Sequence, residues 1–376
     1  MVSGAPIEKR KLEEMLSRVA NFVKLPSGRV RTRTATLQIN SAPHVARGLD
    51  SIRFLCASWV VMDHIGDPPI TAGIDKSSVL GWLINGIWNN AISGPAAVIV
   101  FFVISGFCIH YPQTGKKVIG SLPSYFARRY IRILVPLVPA IVVSVLLGIH
   151  LNLFNETILW SLLAELIYYS LYPLLLALRQ RLTSWIPLIA GAFVIALAVA
   201  ATDPTAGDYP SYGFALNWLL GLPCWLAGCE VAEQIRNSSD RTSNSAIWRW
   251  RAAVWFLAFV CCALRFHSPI GYPWTLNLFG MFVAVWLVRE IHHFQSVPPF
   301  RLAEWAGRWS YSLYLSHILA NTIFKHVPIP NLGFFINWAC QMSFVLIFAF
   351  IFALALEFPG HAFARWAGNG LGKRWS

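Results

Sequence analysis

Charge is scarce in this chain. Only 12% of its 376 residues are charged while 56% are hydrophobic, far more apolar material than one soluble core of this length uses. Acidic residues are scarcer still, with 17 Asp and Glu against 30 Lys and Arg. The seven cysteines (Cys56, Cys108, Cys224, Cys229, Cys261, Cys262 and Cys340) lie in or at the ends of apolar segments, so neither a disulfide framework nor a zinc spacing can be read from them. A cleavable leader is not expected, because the first 48 residues are polar and lack an apolar h-region. The first apolar segment is then its own signal anchor.

What is present are long apolar runs, studded with 17 Trp and 25 Phe. They fall at about 50–66, 82–109, 131–151, 158–178, 186–201, 214–232, 252–266, 274–289, 311–327 and 334–356, several of them shorter than the ~20 residues a span prefers. The fold class expected is all-α, a polytopic membrane protein of about ten helices. Placing the N-terminus in the cytoplasm collects 26 of the 30 Lys and Arg on the inner flanks, leaving Lys76, Arg265 and Lys325 outside and Arg53 within the first helix. Both termini are therefore expected in the cytoplasm. The net charge of +13 follows from this topology and from contact with anionic membrane lipid; no nucleic-acid partner is needed to explain it.

Three regions are expected: a basic N-terminal segment (1–48), a membrane domain (49–356) and a basic cytoplasmic tail (357–376). Within the first, residues 8–24 place Leu12, Met15, Leu16, Val19, Phe22 and Val23 at helical spacing opposite Lys and Arg. This predicts an amphipathic helix on the inner leaflet, with a docking helix for a partner as the alternative. Residues 25–47 read as a loose linker, and the loop 233–248 as polar and turn-rich.

The chemistry is expected where polar groups interrupt the apolar runs. In "LDSIRFLCASWVVMDHIGD" (49–67), Arg53 and His64 are eleven residues apart, about three helical turns, so they share a face, with Asp50 one turn before Arg53. His64 then lies roughly 20 Å above Asp50, in the outer half of the bilayer. Ionisable groups at such depth mark pathways or reaction sites, although an interfacial histidine wetted by headgroups is the competing explanation. Glu165 is the lone carboxylate of "LWSLLAELIYYSLYPLL" and falls near the depth of His64, where it would fix the tautomer of a general-base histidine; a structural Glu bonded to Trp or Tyr is the alternative. Ser105 and Gly106 permit close approach of a backbone or ligand. Arg128, Arg129 and Arg132 suit either inner-flank anchoring or phosphate binding, and Tyr311, Tyr314 and His317 cluster in "WSYSLYLSHI", Tyr314 and His317 on one face. None of these patterns reads as a metal site.

These stretches carry a family likeness. "LDSIRFLCASWVVMDH" resembles the first-helix signature of the acyltransferase 3 family of membrane-bound, acyl-CoA-dependent O-acyltransferases. "FFVISGF", "RRYIRILVP", "WSLLAELIYY" and "SYSLYLSHI" resemble that family's next landmarks in the same order, over about residues 49–320. The resemblance implies ten membrane helices, acyl-CoA (acetyl-CoA by default) arriving from the cytosol, and a hydroxyl acceptor on a surface or exported carbohydrate or glycolipid, in the inner membrane of a bacterium. It implies His64 as the essential histidine, Arg53 as its motif partner, Glu165 as the fourth-helix acid, and Arg128, Arg129 and Arg132 as CoA phosphate contacts, with Ser105, Tyr314 and His317 also assigned to donor binding. Asp50 would orient Arg53. Ser51 stands where the family usually has glycine, and Asp63 directly precedes the histidine. An esterase-like extracytoplasmic domain of the kind fused to some relatives is missing from the sequence, so direct transfer is expected. A transporter with a His/Glu proton relay, or a glycolipid-handling protein, is the alternative. The acyl group, the acceptor hydroxyl and the oligomeric state stay open.

Overall fold

The computed structural model describes residues 47–116, 118–149, 158–237, 244–328 and 330–374. The helix expected over 8–24, nearly all of the linker after it and the centre of the 233–248 loop lie outside these residues. Among the described residues every regular element is helical: α1 (Leu49–Ile65), α2 (Val79–Ala91), α3 (Gly94–His110), α4 (Leu122–Leu146), α5 (Leu159–Arg179), α6 (Ile186–Ala200), α7 (Gly213–Asn237), α8 (Asn244–His267), α9 (Tyr272–Ser296), α10 (Arg301–Gly307), α11 (Ser310–Lys325), α12 (Phe334–Phe352) and α13 (Phe358–Arg374).

Each of the ten expected segments contains a helix. Seven helical stretches among the described residues are long and apolar enough to cross a bilayer. The helices α1, α6 and α11 have 17, 15 and 16 residues, at or below the short end of the ~17–25 that a span uses.

Two expected boundaries are corrected. The single span drawn over 82–109 is two helices, because the backbone is extended at Ile92 and Ser93, and Ser93 caps α3 with Pro95 in its first turn. A serine cap followed by proline starts a helix, since the missing proline N–H has no intrahelical partner to lose. The 13 residues of α2 reach only ~20 Å, short of a ~30 Å hydrocarbon core. At the other end the chain does not finish as a tail. After α12 a π-helical turn, Ala353–Glu357, leads without a break into α13, which packs along α4. Such turns are frequent at functional sites, and this one sets Glu357, 1% exposed, into the interior.

The central helix is α3, buried almost all round and in contact with α1, α5, α7 and α9. Two glycines set its crossing with α7: a Cβ on Gly106 would overlap the Trp225 carbonyl, and one on Gly228 the Val103 carbonyl. Close approach of this kind replaces the hydrophobic drive that lipid removes from helix association. The outward faces of α4, α6 and α12 are apolar and exposed, as at Val138, Val142, Val194, Phe335 and Ile347. An apolar girdle of this extent suits hydrocarbon rather than water.

The short helix α10 fixes the start of α1. Glu304 accepts the N–H groups of Gly48 and Ser51, both at 3.0 Å, and the Ser51 hydroxyl at 2.8 Å. Its carboxylate thus satisfies donors that a helix N-terminus leaves orphaned and complements the positive end of the dipole. Gly307 lies flat on the Asp50 carbonyl, with no space there for a Cβ. Arg53 leaves α1 one turn above this clamp.

Candidate active site

Two cavities line the face of α1 that carries Arg53 and His64. The first, about 130 Å³, is walled by Arg53, Ser105, Arg129, Arg132, Glu165 and Tyr311, among others. The second, about 160 Å³, is walled by Asp63, His64, Trp160, Asp208, Tyr209 and Tyr272, among others. Val98 and Tyr314 belong to both walls. They form the partition between an arginine-rich chamber and a histidine-bearing one.

In the Arg53 chamber, three guanidinium groups face the one carboxylate of Glu165. Arg53 is also 3.4 Å from Asp50, an i,i+3 pair on one helix face. Glu165 accepts the Ser105 hydroxyl at 2.5 Å and the Tyr169 hydroxyl, while the Trp225 indole donates to Ser105 at 3.2 Å. A carboxylate removed from water needs such donors. Glu357, near enough to Arg53 and Arg132 to feel their charge, accepts the Ser312 N–H at 3.0 Å and its hydroxyl at 2.6 Å. Tyr311 donates to the Ile133 carbonyl at 3.0 Å, which ties α11 to α4 beneath the chamber.

The three inner arginines part company. Arg129 and Arg132 line the chamber, whereas Arg128 is exposed and donates to Asn369 of α13 at 2.9 Å. They are spaced along a helix, and only one arc of that helix faces inward.

In the other chamber, His64 is exposed to the opening and its Nδ1 lies 2.8 Å from the Val60 carbonyl. A carbonyl only accepts, so in the neutral ring Nδ1 carries the hydrogen and Nε2 keeps its lone pair. Its aromatic neighbour is His317, with ring centroids 5.2 Å apart. His317 donates from Nδ1 to the Tyr314 carbonyl at 2.7 Å, and its fully buried Nε2 has no hydrogen-bond partner. Tyr314 closes the partition, its hydroxyl 2.6 Å from Ser161 Oγ and 2.8 Å from the Ile158 carbonyl.

The expected His64–Glu165 pair is not formed. Glu165 is held by Ser105 and Tyr169 on the Arg53 side of the partition, and a backbone carbonyl orients His64 instead. Glu165 is satisfied by its two hydroxyl donors, and His64, whose one N–H goes to the Val60 carbonyl, has no donor left in its neutral form to offer a carboxylate. His317 lies beside His64 rather than in the wall of the Arg53 chamber, while Ser105 and Tyr314 do line that chamber. Ser51, where the resemblance leads one to expect glycine, adds a hydroxyl bond to Glu304. Asp63 packs against Gly94 at the start of α3.

The chain matches the acyltransferase 3 family model, an acyltransferase domain, over residues 47–358. It belongs to the acyltransferase 3 family. Comparison with curated proteins and with solved structures returned no match. Membership makes the protein a membrane acyltransferase, which decides against the transporter alternative. The matched span takes in both chambers of this acyltransferase and ends one residue after Glu357.

Sequence reading missed several groups of the site. Tyr169 sits one turn from Glu165 in "AELIYY", spacing that was there to be used. Glu357, a lone acid after an apolar run, carried the same signal as Glu165. Asp208 and Tyr209 come from the loop between α6 and α7, and no pattern in the chain places that loop beside His64.

Proposed function

We propose that this protein moves an acyl group, acetyl by default, from cytosolic acyl-CoA to a carbohydrate hydroxyl on the far side of a bacterial inner membrane. The observation that carries this is the pair of chambers sharing the Val98–Tyr314 wall, arginine-rich on one side and with a free histidine lone pair on the other. On this reading the Arg53 end of the bundle is cytoplasmic, in keeping with the Lys and Arg bias of the flanks.

A thioester is already activated, so the protein has to hold it, position the hydroxyl and move one proton. His64 Nε2 takes the hydroxyl proton while the oxygen attacks the thioester carbonyl. The C–S bond then breaks, and the CoA sulfur leaves with the proton that His64 returns. Arg53 lies eleven residues before His64 in one helix, about 16 Å along the axis, too far for its guanidinium to reach the carbonyl that His64 serves. Arg53, with Arg129 and Arg132, therefore holds the phosphate and pantetheine portion of the donor. Glu165 tempers their mutual repulsion. Tyr314 gives its one hydroxyl proton to the Ile158 carbonyl and so holds the shared wall in place between donor and acceptor.

The test combines purified protein in detergent, labelled acetyl-CoA and a hydroxyl acceptor identified by mass spectrometry of glycans from cells with and without the protein. Label must pass into the glycan with release of free CoA. Thioester cleavage that no acceptor stimulates would defeat the proposal.

A further inference from the structure

The His64 chamber differs from its neighbour in its charge. Two carboxylates, Asp63 and Asp208, stand in its wall, and neither Lys nor Arg does among the described residues. Asp208 receives the Ser211 N–H at 3.3 Å and the Ser211 hydroxyl at 2.6 Å, both on Oδ1. The Arg265 guanidinium, attached on α8, packs over Phe266 at 5.4 Å and against Gly207 without joining the wall. Asp67, in the loop after α1, adds negative charge close to Asp63.

The rest of the wall is aromatic. Trp160 and Tyr209 meet edge to face at 5.7 Å, and the Tyr272 hydroxyl is 3.5 Å from Ser93 Oγ. Tyr209 is 2% exposed and its hydroxyl has no partner. Aromatic faces next to carboxylates match a ring that is apolar on its C–H faces and hydroxylated at its edge. At about 160 Å³ the chamber is well below the ~300–1,000 Å³ of a site for a drug-sized ligand. It has space for one ring, with the remainder of any acceptor outside.

We infer that the His64 chamber is the acceptor subsite, and that Asp63 and Asp208 make it selective for a neutral or ammonium-bearing sugar ring over a carboxylated or phosphorylated one. This rests on the proposed transfer through His64 and specifies the acceptor class. The carboxylates act twice: they repel an anionic ring, and Asp63 also favours the imidazolium that forms when His64 takes the proton.

The experiment uses the full-length protein in detergent and three probes of one ring shape: methyl glucoside, methyl glucosaminide and methyl glucuronate. Binding is measured by calorimetry without acyl-CoA, and transfer separately with labelled acetyl-CoA. The glucuronate should bind roughly tenfold more weakly than the glucoside, as expected for like charges within a partly solvated mouth. Asp208→Asn should narrow that ratio severalfold, and Asp203→Asn, on the same loop but outside the wall, should leave it unchanged. Equal binding of all three probes, binding of none, or a ratio indifferent to Asp208→Asn overturns the inference. Selective binding without any transfer would instead retire the proposed activity and keep the subsite. Transfer to an alcohol that is not a sugar, with no glycoside bound, would do the reverse.

Discussion

Arg128, Arg129 and Arg132 carry the same charge within five residues of one helix, yet alanine at each should give unequal results. Arg132 faces the Arg53 chamber together with Arg53 and Arg129. Losing a charge-assisted bond to a phosphate there costs about 1.5–3 kcal/mol, a roughly 10- to 150-fold rise in donor Kd at ~1.4 kcal/mol per decade. Arg128 is exposed and spends its guanidinium on Asn369, so its loss should stay within about 0.5 kcal/mol, roughly a twofold effect. Desulfo-CoA, which lacks the reacting sulfur, is titrated calorimetrically into each variant in detergent, with thermal unfolding as the check on folding. Arg132→Ala should also flatten the salt dependence of donor binding, because a chamber stripped of one cation attracts polyphosphate less. Equal weakening by Arg128→Ala and Arg132→Ala, or by neither in folded protein, would refute the assignment of the Arg53 chamber to the donor.

His64→Ala should lower turnover by about 10²–10⁴-fold, the worth of a general base, and leave desulfo-CoA affinity unchanged; retained turnover in a folded variant removes the base assignment. Glu165→Gln keeps acceptors for Ser105 and Tyr169 but loses the charge opposing three arginines, so it should reduce turnover less than His64→Ala does. Burial and the charge of Asp63 push Asp67 up to about 6, above the ~3.9 of an unperturbed carboxyl. Between those values the folded protein binds the extra proton, so stability should rise as pH falls from about 6 towards 4, and Asp67→Asn should remove that rise in thermal unfolding scans. Cysteines placed at Asp75 and Asp203 should react with an impermeant thiol reagent from outside intact cells and one at Arg181 should not; the opposite pattern reverses the orientation.

The all-helical class and the charged groups that line the Arg53 chamber were legible in the sequence, because lipid makes every charge in an apolar run conspicuous. The eleven-residue spacing of Arg53 and His64 is enough to put them on one face of α1, and Asp50 beside Arg53 follows from the same helical period. Periodicity says which face a residue is on but not which neighbour that face meets. That is why Glu165 was expected opposite His64, whereas the packing of α3 against α5 hands it to Ser105, beside the Tyr169 of its own helix. It is also why three neighbouring arginines look alike in the chain, although Arg128 falls outside the inward arc of α4 and bonds Asn369 of α13 instead. Local capping decided what hydropathy did not: the run over 82–109 is apolar enough to be drawn as one span, and the Ser93–Pro95 start signal divides it. The sequence by itself determined the solvent this protein folds in and the helices that carry its charges. Only the tertiary structure decided how those charges are shared between two chambers, since the partition at Val98 and Tyr314 joins helices more than 200 residues apart in the chain.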